Sequence, residues 1–301
     1  MSKLPGKMTR KQHWVPQFYL RHFANSSGQL HAYSKSNDVF YRTKVGNVCS
    51  KRDLYEVRYS DIGADSDDKY YAQNLIETKL SENESQISVS YSRLLKSCKN
   101  ATLEGDPFRQ GRQAVCELAS NLIVRHPVAM QGDRRKAREE SSLLQVDGVL
   151  TEEDRVLLDC SGWNGDHKAL AELSAVATMF FSEDGSIPVN RIRETFLEKH
   201  FSILEAPISS GFVTTSMPMF IIGPEDDSYD IDFAYMPLSS EYAALFTTDS
   251  SLEPFYRLDL PHVELMNCLH LLNCKHWDVA LSRGNGPLKH AVRDWAKAAS
   301  N

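Results

Sequence analysis

Apolar residues recur at three- and four-residue intervals along two long stretches of the chain, and after residue 201 they break into short runs punctuated by Pro, Gly, Asp and Ser. The first pattern predicts helices and the second predicts strands. Over 67–97, Leu80, Ile87, Tyr91 and Leu94 share one helical face. A second long helix is expected from near Pro107, with Val115, Leu118 and Leu122 on its stripe. Pro127 must bend or end it, because proline removes a helical N–H. Shorter helical patterns cover 152–158, 168–181 and 189–201. The runs 211–215, 219–222, 231–235, 242–246 and 277–281 read as strands of a small sheet, with helices over 261–273 and 288–298 packed on it.

Ahead of the long helices, 30–33 and 39–41 flank a turn-rich 34–38 and predict a hairpin, with 53–57 as a third extended piece. Before the hairpin comes the densest run of the chain, His13-Trp14-Val15-Pro16-Gln17-Phe18-Tyr19-Leu20-Arg21-His22-Phe23. Pro16 suits the first turn of a short helix, and Tyr19, Leu20 and Phe23 then fall on one face. His13 stands just outside that helix, where it either orients the chain through backbone hydrogen bonds or faces a cleft as a ligand or acid–base group. Together these elements predict an α+β protein, a helix-rich body with a small, mainly antiparallel sheet and an N-terminal hairpin. With no internal repeat and no long linker, the expected organisation is a single domain over 1–301. Within it, 1–12 form a flexible basic tail, 13–201 a largely helical lobe carrying the hairpin, and 202–301 a smaller sheet-containing lobe.

Composition narrows the class. Apolar residues make up 42% and charged residues 25% of 301, as in soluble globular proteins. A net charge of −6 excludes a nucleic-acid binder that works by bulk positive charge. Local basic groups remain, at Lys3, Lys7, Arg10 and Lys11 and again at Arg125, Arg134, Arg135, Lys136 and Arg138. The six cysteines form no C-x-x-C pair and no zinc-finger spacing. With no signal-peptide pattern and no apolar run near eighteen residues, the expected home is the cytoplasm, with no membrane span.

Three charged residues share the stripes that packing residues define. Positions 77, 80, 84, 87, 91 and 94 lie on one face, which places Glu77 and Glu84 among apolar neighbours. Arg125 follows Leu122 by three residues and Leu118 by seven. A buried unpaired charge is costly, so Arg125 is expected to pair with Glu77 or Glu84. Either this is an ion pair that fixes helix packing, or it belongs to a polar site in which the glutamates bind a divalent metal or move protons and Arg125 holds an anion. The glutamates are two turns apart, roughly 10 Å along the axis, so one metal ion would need a further ligand from elsewhere. No nucleophile elbow, P-loop, dinucleotide fingerprint or H-E-x-x-H occurs in the chain. His262, His270, His276 and His290 are dispersed and read as surface or core positions, and Trp163, Trp277 and Trp295 as core or interface aromatics.

The opening run resembles the start of a mainly bacterial family catalogued as domain of unknown function 4238. The resemblance continues in order through Leu54-Tyr55, Ile76-Glu77, Glu84, Arg125, Pro127, the run from Phe212 to Pro218, Pro237-Leu238-Ser239 and Asn273. One departure stands out: the family pattern has an acid two residues before the proline of a Thr-Ser-Asp-Asn-Pro type sequence, where this chain has Ser216. The resemblance singles out residues and carries no reaction with it.

Two functions from different classes fit these residues. One is a hydrolase acting on a phosphate-bearing substrate such as a nucleotide or nucleic acid, with His13, Glu77 and Glu84 as catalytic candidates and Arg125 and Tyr19 as substrate-binding candidates. The other is a non-catalytic regulatory or ligand-binding module whose polar core is structural. Substrate, metal and oligomeric state are not legible in the chain.

Overall fold

A computed structural model describes residues 9–58, 70–71, 74–131, 188–223, 231–274 and 276–300. The helical patterns at 152–158 and 168–181, the tail residues Lys3 and Lys7, the basic group Arg134, Arg135, Lys136 and Arg138, and Cys160 and Trp163 lie outside the described residues. The fold is α+β.

Chain order explains the opening. Strand β1 (Lys11–His13) pairs antiparallel with β4 (Ser50–Arg52), which ties the first described residues to the body. Between them come helix α1 (Gln17–Arg21) and the hairpin of β2 (Gln29–Ser34) with β3 (Val39–Lys44). Val15, Tyr19, Leu20 and Phe23 are completely buried, so the aromatic face of α1 is part of the core. The expected third extended piece at 53–57 is not continuous. Asp53 takes a φ of 54°, and the turn it starts tucks Leu54, Tyr55 and Glu56 inward before β5 (Val57–Arg58) pairs with β6 (Tyr70–Tyr71).

The two long helices are α2 (Leu75–Lys99) and α3 (Asp106–Arg125). Helix α2 starts later than the 67–97 pattern suggested, because Tyr70–Tyr71 is strand and Asn74 breaks the backbone with a φ of 60°. Helix α3 stops two residues short of Pro127, and His126 takes the extended backbone that proline imposes on its neighbourhood. Both predicted stripes are buried and face each other. They approach tightly at Gly111, where a Cβ would lie 2.4 Å from Leu94 Cβ.

Helix α4 (Pro188–Glu198) is shorter than the predicted 189–201, since β7 (His200–Glu205) begins at once after it. This strand was hidden because four consecutive residues, Phe201 to Leu204, are buried and leave no alternation to read. It runs second in a five-stranded sheet ordered β12-β7-β11-β10-β9, formed with β9 (Phe220–Ile222), β10 (Phe233–Pro237), β11 (Tyr242–Thr247) and β12 (Phe255–Arg257). All pairs are antiparallel except β12 with β7. A four-stranded antiparallel sheet is ordered β3-β2-β13-β8, joining the N-terminal hairpin to β8 (Thr214–Thr215) and to β13 (Val279–Ser282) near the other end of the chain. Helices α5 (Leu260–Asn273) and α6 (Asn285–Ala299) pack on each other, and α6 lies against β2 and β13. Asp259 caps α5 by accepting the His262 N–H at 3.0 Å. Among the described residues, no helix is long and apolar enough to cross a membrane.

The contact at Gly111 yields a paired expectation. Gly111→Ala is expected to destabilise the protein by about 1–3 kcal/mol, because the α2 backbone must move to admit one methyl group. Gly286→Ala, inside α6 with nothing within 4 Å, is expected to be neutral or stabilising by about 0.5–1 kcal/mol. Denaturant melts of the two variants check this, and equal effects would mean that the helix approach is not tight.

Candidate functional site

Helical spacing places Glu77, Ser81, Glu84, Ser85 and Ser88 along one shoulder of α2, beside its apolar stripe. That shoulder faces α1, and between them opens a polar cleft of about 320 Å³. His13, Gln17, Phe18 and Arg21 line one wall, and Arg125, at the last turn of α3, closes the end. The cleft thus brings together His13, Glu77, Glu84 and Arg125 from segments more than a hundred residues apart. Tyr19 is not among them. Its ring is buried, and its hydroxyl lies 2.7 Å from Thr214 Oγ1 and donates to the Pro237 carbonyl at 2.7 Å, so it joins α1 to both sheets.

Arg125 is 3% exposed and each of its guanidinium nitrogens has a protein partner. Nη1 meets Glu84 Oε1 at 2.7 Å, Nε donates to the Tyr55 hydroxyl at 3.1 Å, and Nη2 donates to the His13 carbonyl at 2.8 Å. The Tyr55 hydroxyl donates in turn to the same carbonyl at 3.0 Å. Burial opposes the Arg125 charge, but Tyr55 and Glu84 more than offset it and raise its pKa. The expected pairing of Arg125 with one of the two glutamates therefore selects Glu84.

Glu77 is left over. Its Oε2 is buried without a hydrogen-bond partner, and burial pushes its pKa up to about 7 against the pull of Arg125, with Glu84 and Glu56 adding to the rise. A carboxyl in that state holds or releases a proton near neutrality. His13 is shifted the other way: burial lowers its pKa, and its Nε2 lies 3.3 Å from the Gly46 carbonyl. The neutral ring donating there leaves Nδ1 as an acceptor. Arg21 is exposed on the same wall and makes no ion pair among the described residues.

The pattern of apolar positions did not point to Arg21, Gln17 or the serines, which sit at ordinary polar positions of amphipathic helices. Nor did it reveal Gln12 and Glu56, which are buried and bond to each other at 2.7 Å. Glu56 stands between Tyr55 and Val57, but Gln12 lies between Lys11 and His13, and neither setting marks a buried pair in the sequence.

Away from the cleft, among the described residues, Arg112 Nε, His126 Nε2, His200 Nε2, Tyr235 Oη, Ser240 Oγ and His270 Nε2 are also buried without a hydrogen-bond partner. A larger hollow of about 580 Å³ near β7 and α6 is lined by Lys99, Glu205, Glu241 and Arg283; Arg283 pairs with Glu241 at 2.8 Å, and Glu205 pairs with Arg257, outside the hollow, at 2.9 Å. Ser216 lies outside the cleft; its hydroxyl accepts the Asp278 N–H at 2.9 Å and its carbonyl accepts the Trp14 indole N–H at 2.8 Å. The departure from the family pattern therefore falls outside the cleft, at a residue bonded to the segment that leads into β13. Cys49, Cys98, Cys116 and Cys274 are buried thiols and Cys268 is partly buried, with no disulfide among the described residues. His270 is fully buried, while His262 and His290 pair with Asp259 and Glu264. Among the described residues, no three His, Cys, Asp or Glu side chains gather closely enough to hold a metal ion.

Two expectations follow from this geometry. Arg125→Met is expected to cost about 3–5 kcal/mol, because it strands the partners of a buried charge. Glu84→Gln should cost less, and in the double variant the losses should fall short of their sum by more than about 1 kcal/mol. Additive losses in denaturant melts would mean that the two side chains are uncoupled. Glu77 predicts a pH signature. At pH values below the ordinary 4.5, it is protonated in both folded and unfolded chains and has no effect. As pH rises from 4.5 to about 7 the unfolded chain ionises while the folded one holds its proton, so the folded state loses stability across that window and no further above it. Glu77→Gln is therefore expected to be more stable than the parent by about 1–2 kcal/mol at pH 8, allowing for partial exposure, and no more stable at pH 4. A pH-independent difference between the two melts would contradict this.

A family model for a protein of unknown function, DUF4238, matches residues 11–283, which takes in β1, the cleft and both sheets. No curated protein and no solved structure matches the chain. The run from His13 to Phe23, the α2 and α3 residues of the cleft and the strand regions beyond them are therefore those of a member of the DUF4238 family.

Proposed function

We propose that the cleft between α1, α2 and α3 is the active site of a hydrolase that acts on a phosphate-bearing substrate, a nucleotide or a nucleic acid. The observation that carries this reading is Glu77, a carboxyl with a buried, unpartnered oxygen at the wall of a polar cleft. A carboxyl that has no structural partner and titrates near neutrality suits general-base work. In the ionised state Glu77 takes a proton from water as the water oxygen attacks phosphorus, and the P–O bond to the leaving group breaks while that oxygen takes up a proton from solvent. Arg21 supplies the cation for the phosphate, because Arg125 is already engaged by three protein groups. His13 offers Nδ1 to a substrate hydroxyl. Arg125 holds Glu84 and the His13 backbone in place.

A second reading has its own support. Tyr55, the His13 carbonyl and Glu84 engage all three guanidinium nitrogens of the buried Arg125, as expected of a structural polar core. In that case the protein is a regulatory or ligand-binding module that uses the cleft without chemistry.

The test is an assay against single- and double-stranded DNA, RNA and nucleotides, with Mg²⁺, Mn²⁺ or Zn²⁺ and with none. Glu77→Gln is expected to lower kcat about 10²–10⁴-fold, and Arg21→Ala to raise KM. Because the base works ionised, kcat/KM should rise with pH through about 7. If Glu77→Gln and His13→Ala fold normally and match the parent in every cleavage and binding measurement, the residues are architectural and the hydrolase reading fails. Binding without turnover would select the second reading.

A further inference from the structure

The N-cap amide of a helix has a common acceptor, a glutamate three residues later whose side chain reaches back to complete a capping box. Helix α2 has the glutamate in that place: the N-cap is Asn74 and the third helical residue is Glu77. The box is nevertheless not formed. The Asn74 N–H goes to Glu56, 3.2 Å from each carboxylate oxygen, and Glu77 Oε2 is buried without a partner.

The exchange is held by its surroundings. Glu56 is more than nine-tenths buried and accepts the Gln12 Nε2–H at 2.7 Å, while Gln12, itself fully buried, accepts the Tyr55 N–H at 2.8 Å. Asn74 has a φ of 60°, in the left-handed region that asparagine tolerates, where an ordinary N-cap is extended. With this backbone the Asn74 amide meets Glu56 and not the Glu77 side chain three residues on. The Asn74 side chain accepts the Thr9 N–H at 3.2 Å and gives α2 no cap of its own.

We propose that Glu56 is a positioning residue for Glu77: by taking the N-cap amide of α2 it removes Glu77 from the capping role and leaves that carboxyl at the cleft wall. Its importance for catalysis rests on the hydrolase reading above, but the displacement itself does not. The charged and titratable groups around Glu77 are Glu84 on α2, Arg125 on α3, Tyr55 and Glu56 in the 53–56 turn, and His13 and Arg21 across the cleft. Without Glu56, Asn74 is free to relax to extended backbone, and Glu77 takes the amide and loses its proton more readily.

The test follows the Glu77 carboxyl by NMR titration in the full chain. Removing the Glu56 charge alone lowers the Glu77 midpoint somewhat, so two variants separate charge from position. Glu56→Gln keeps an acceptor for the Asn74 amide, whereas Glu56→Ala keeps none. Glu56→Ala is expected to lower the Glu77 midpoint by at least one pH unit more than Glu56→Gln does, and equal midpoints would overturn the proposal. A second measurement needs no change at Glu56: in the parent chain the Asn74 amide shift should be the same with and without Glu77→Gln. If it moves, Glu77 holds the amide and the proposal fails, even where Glu56→Ala does not fold. If the midpoints separate as expected but Glu77→Gln leaves every activity unchanged, the positioning stands and the hydrolase reading falls.

Discussion

A single buried guanidinium sets the terms for the rest of the helical half of the molecule. Arg125 ends α3 inside the protein, where its charge is tolerable only if partners reach it from several directions. They come from α2 through Glu84, from the 53–56 turn through Tyr55 and from β1 through the His13 carbonyl. These three segments are therefore fixed relative to α3 by one side chain. The His13 carbonyl is held by Arg125 while its ring lies at the cleft with Nε2 against the Gly46 carbonyl, and because Glu84 is used in the pairing, Glu77 is the carboxyl left for other work.

The acid–base balance of this region is lopsided. Glu77 and Glu84 stand near one buried cation and Glu56 near Glu77, and the three are accommodated in different ways. Glu84 pairs with Arg125. Glu56 is raised by burial but accepts hydrogen bonds from Gln12 and Asn74, which favour its charge. Glu77 has neither partner and is the one whose proton is easiest to keep. Three chemically identical side chains thus reach three different states through their neighbours alone.

Much of this was legible in the amino-acid sequence, and the parts that were not have identifiable causes. The stripes of α2 and α3 were clear because long amphipathic helices repeat their pattern many times, and the same stripes exposed Glu77, Glu84 and Arg125 as misplaced charges. The aromatic face of α1 was readable for the same reason. Strand β7 was not, because burial on both faces erases the alternation by which a strand is recognised, and its apolar residues continued a helical pattern. Strands β1 and β12, of three residues each, are too short for any periodicity. Tyr19 combined a buried ring with a polar tip, and sequence alone could not tell that the tip would meet Thr214 and Pro237 instead of the cleft. Gln12 and Glu56 were unreadable because their meaning depends on meeting Asn74, which local pattern does not encode.

The four-stranded sheet has a consequence for how the chain is made. Its inner pair joins Ala32 to Leu281, residues separated by nearly the full length of the protein. During synthesis from the N-terminus, the hairpin of β2 and β3 emerges early and then presents an unpaired inner edge until β13 follows. At about 5–20 residues per second, that wait is of the order of ten to fifty seconds. Val39, Phe40 and Tyr41 stay exposed on the outer edge even in the finished fold, so the nascent hairpin is apolar on its free side and open on the other. Closure of this long loop is the kind of late, high-contact-order event that slows folding. For this protein, the vulnerable interval is therefore translation itself, and a ribosome stalled anywhere short of β13 leaves a chain whose first hairpin has nowhere to dock.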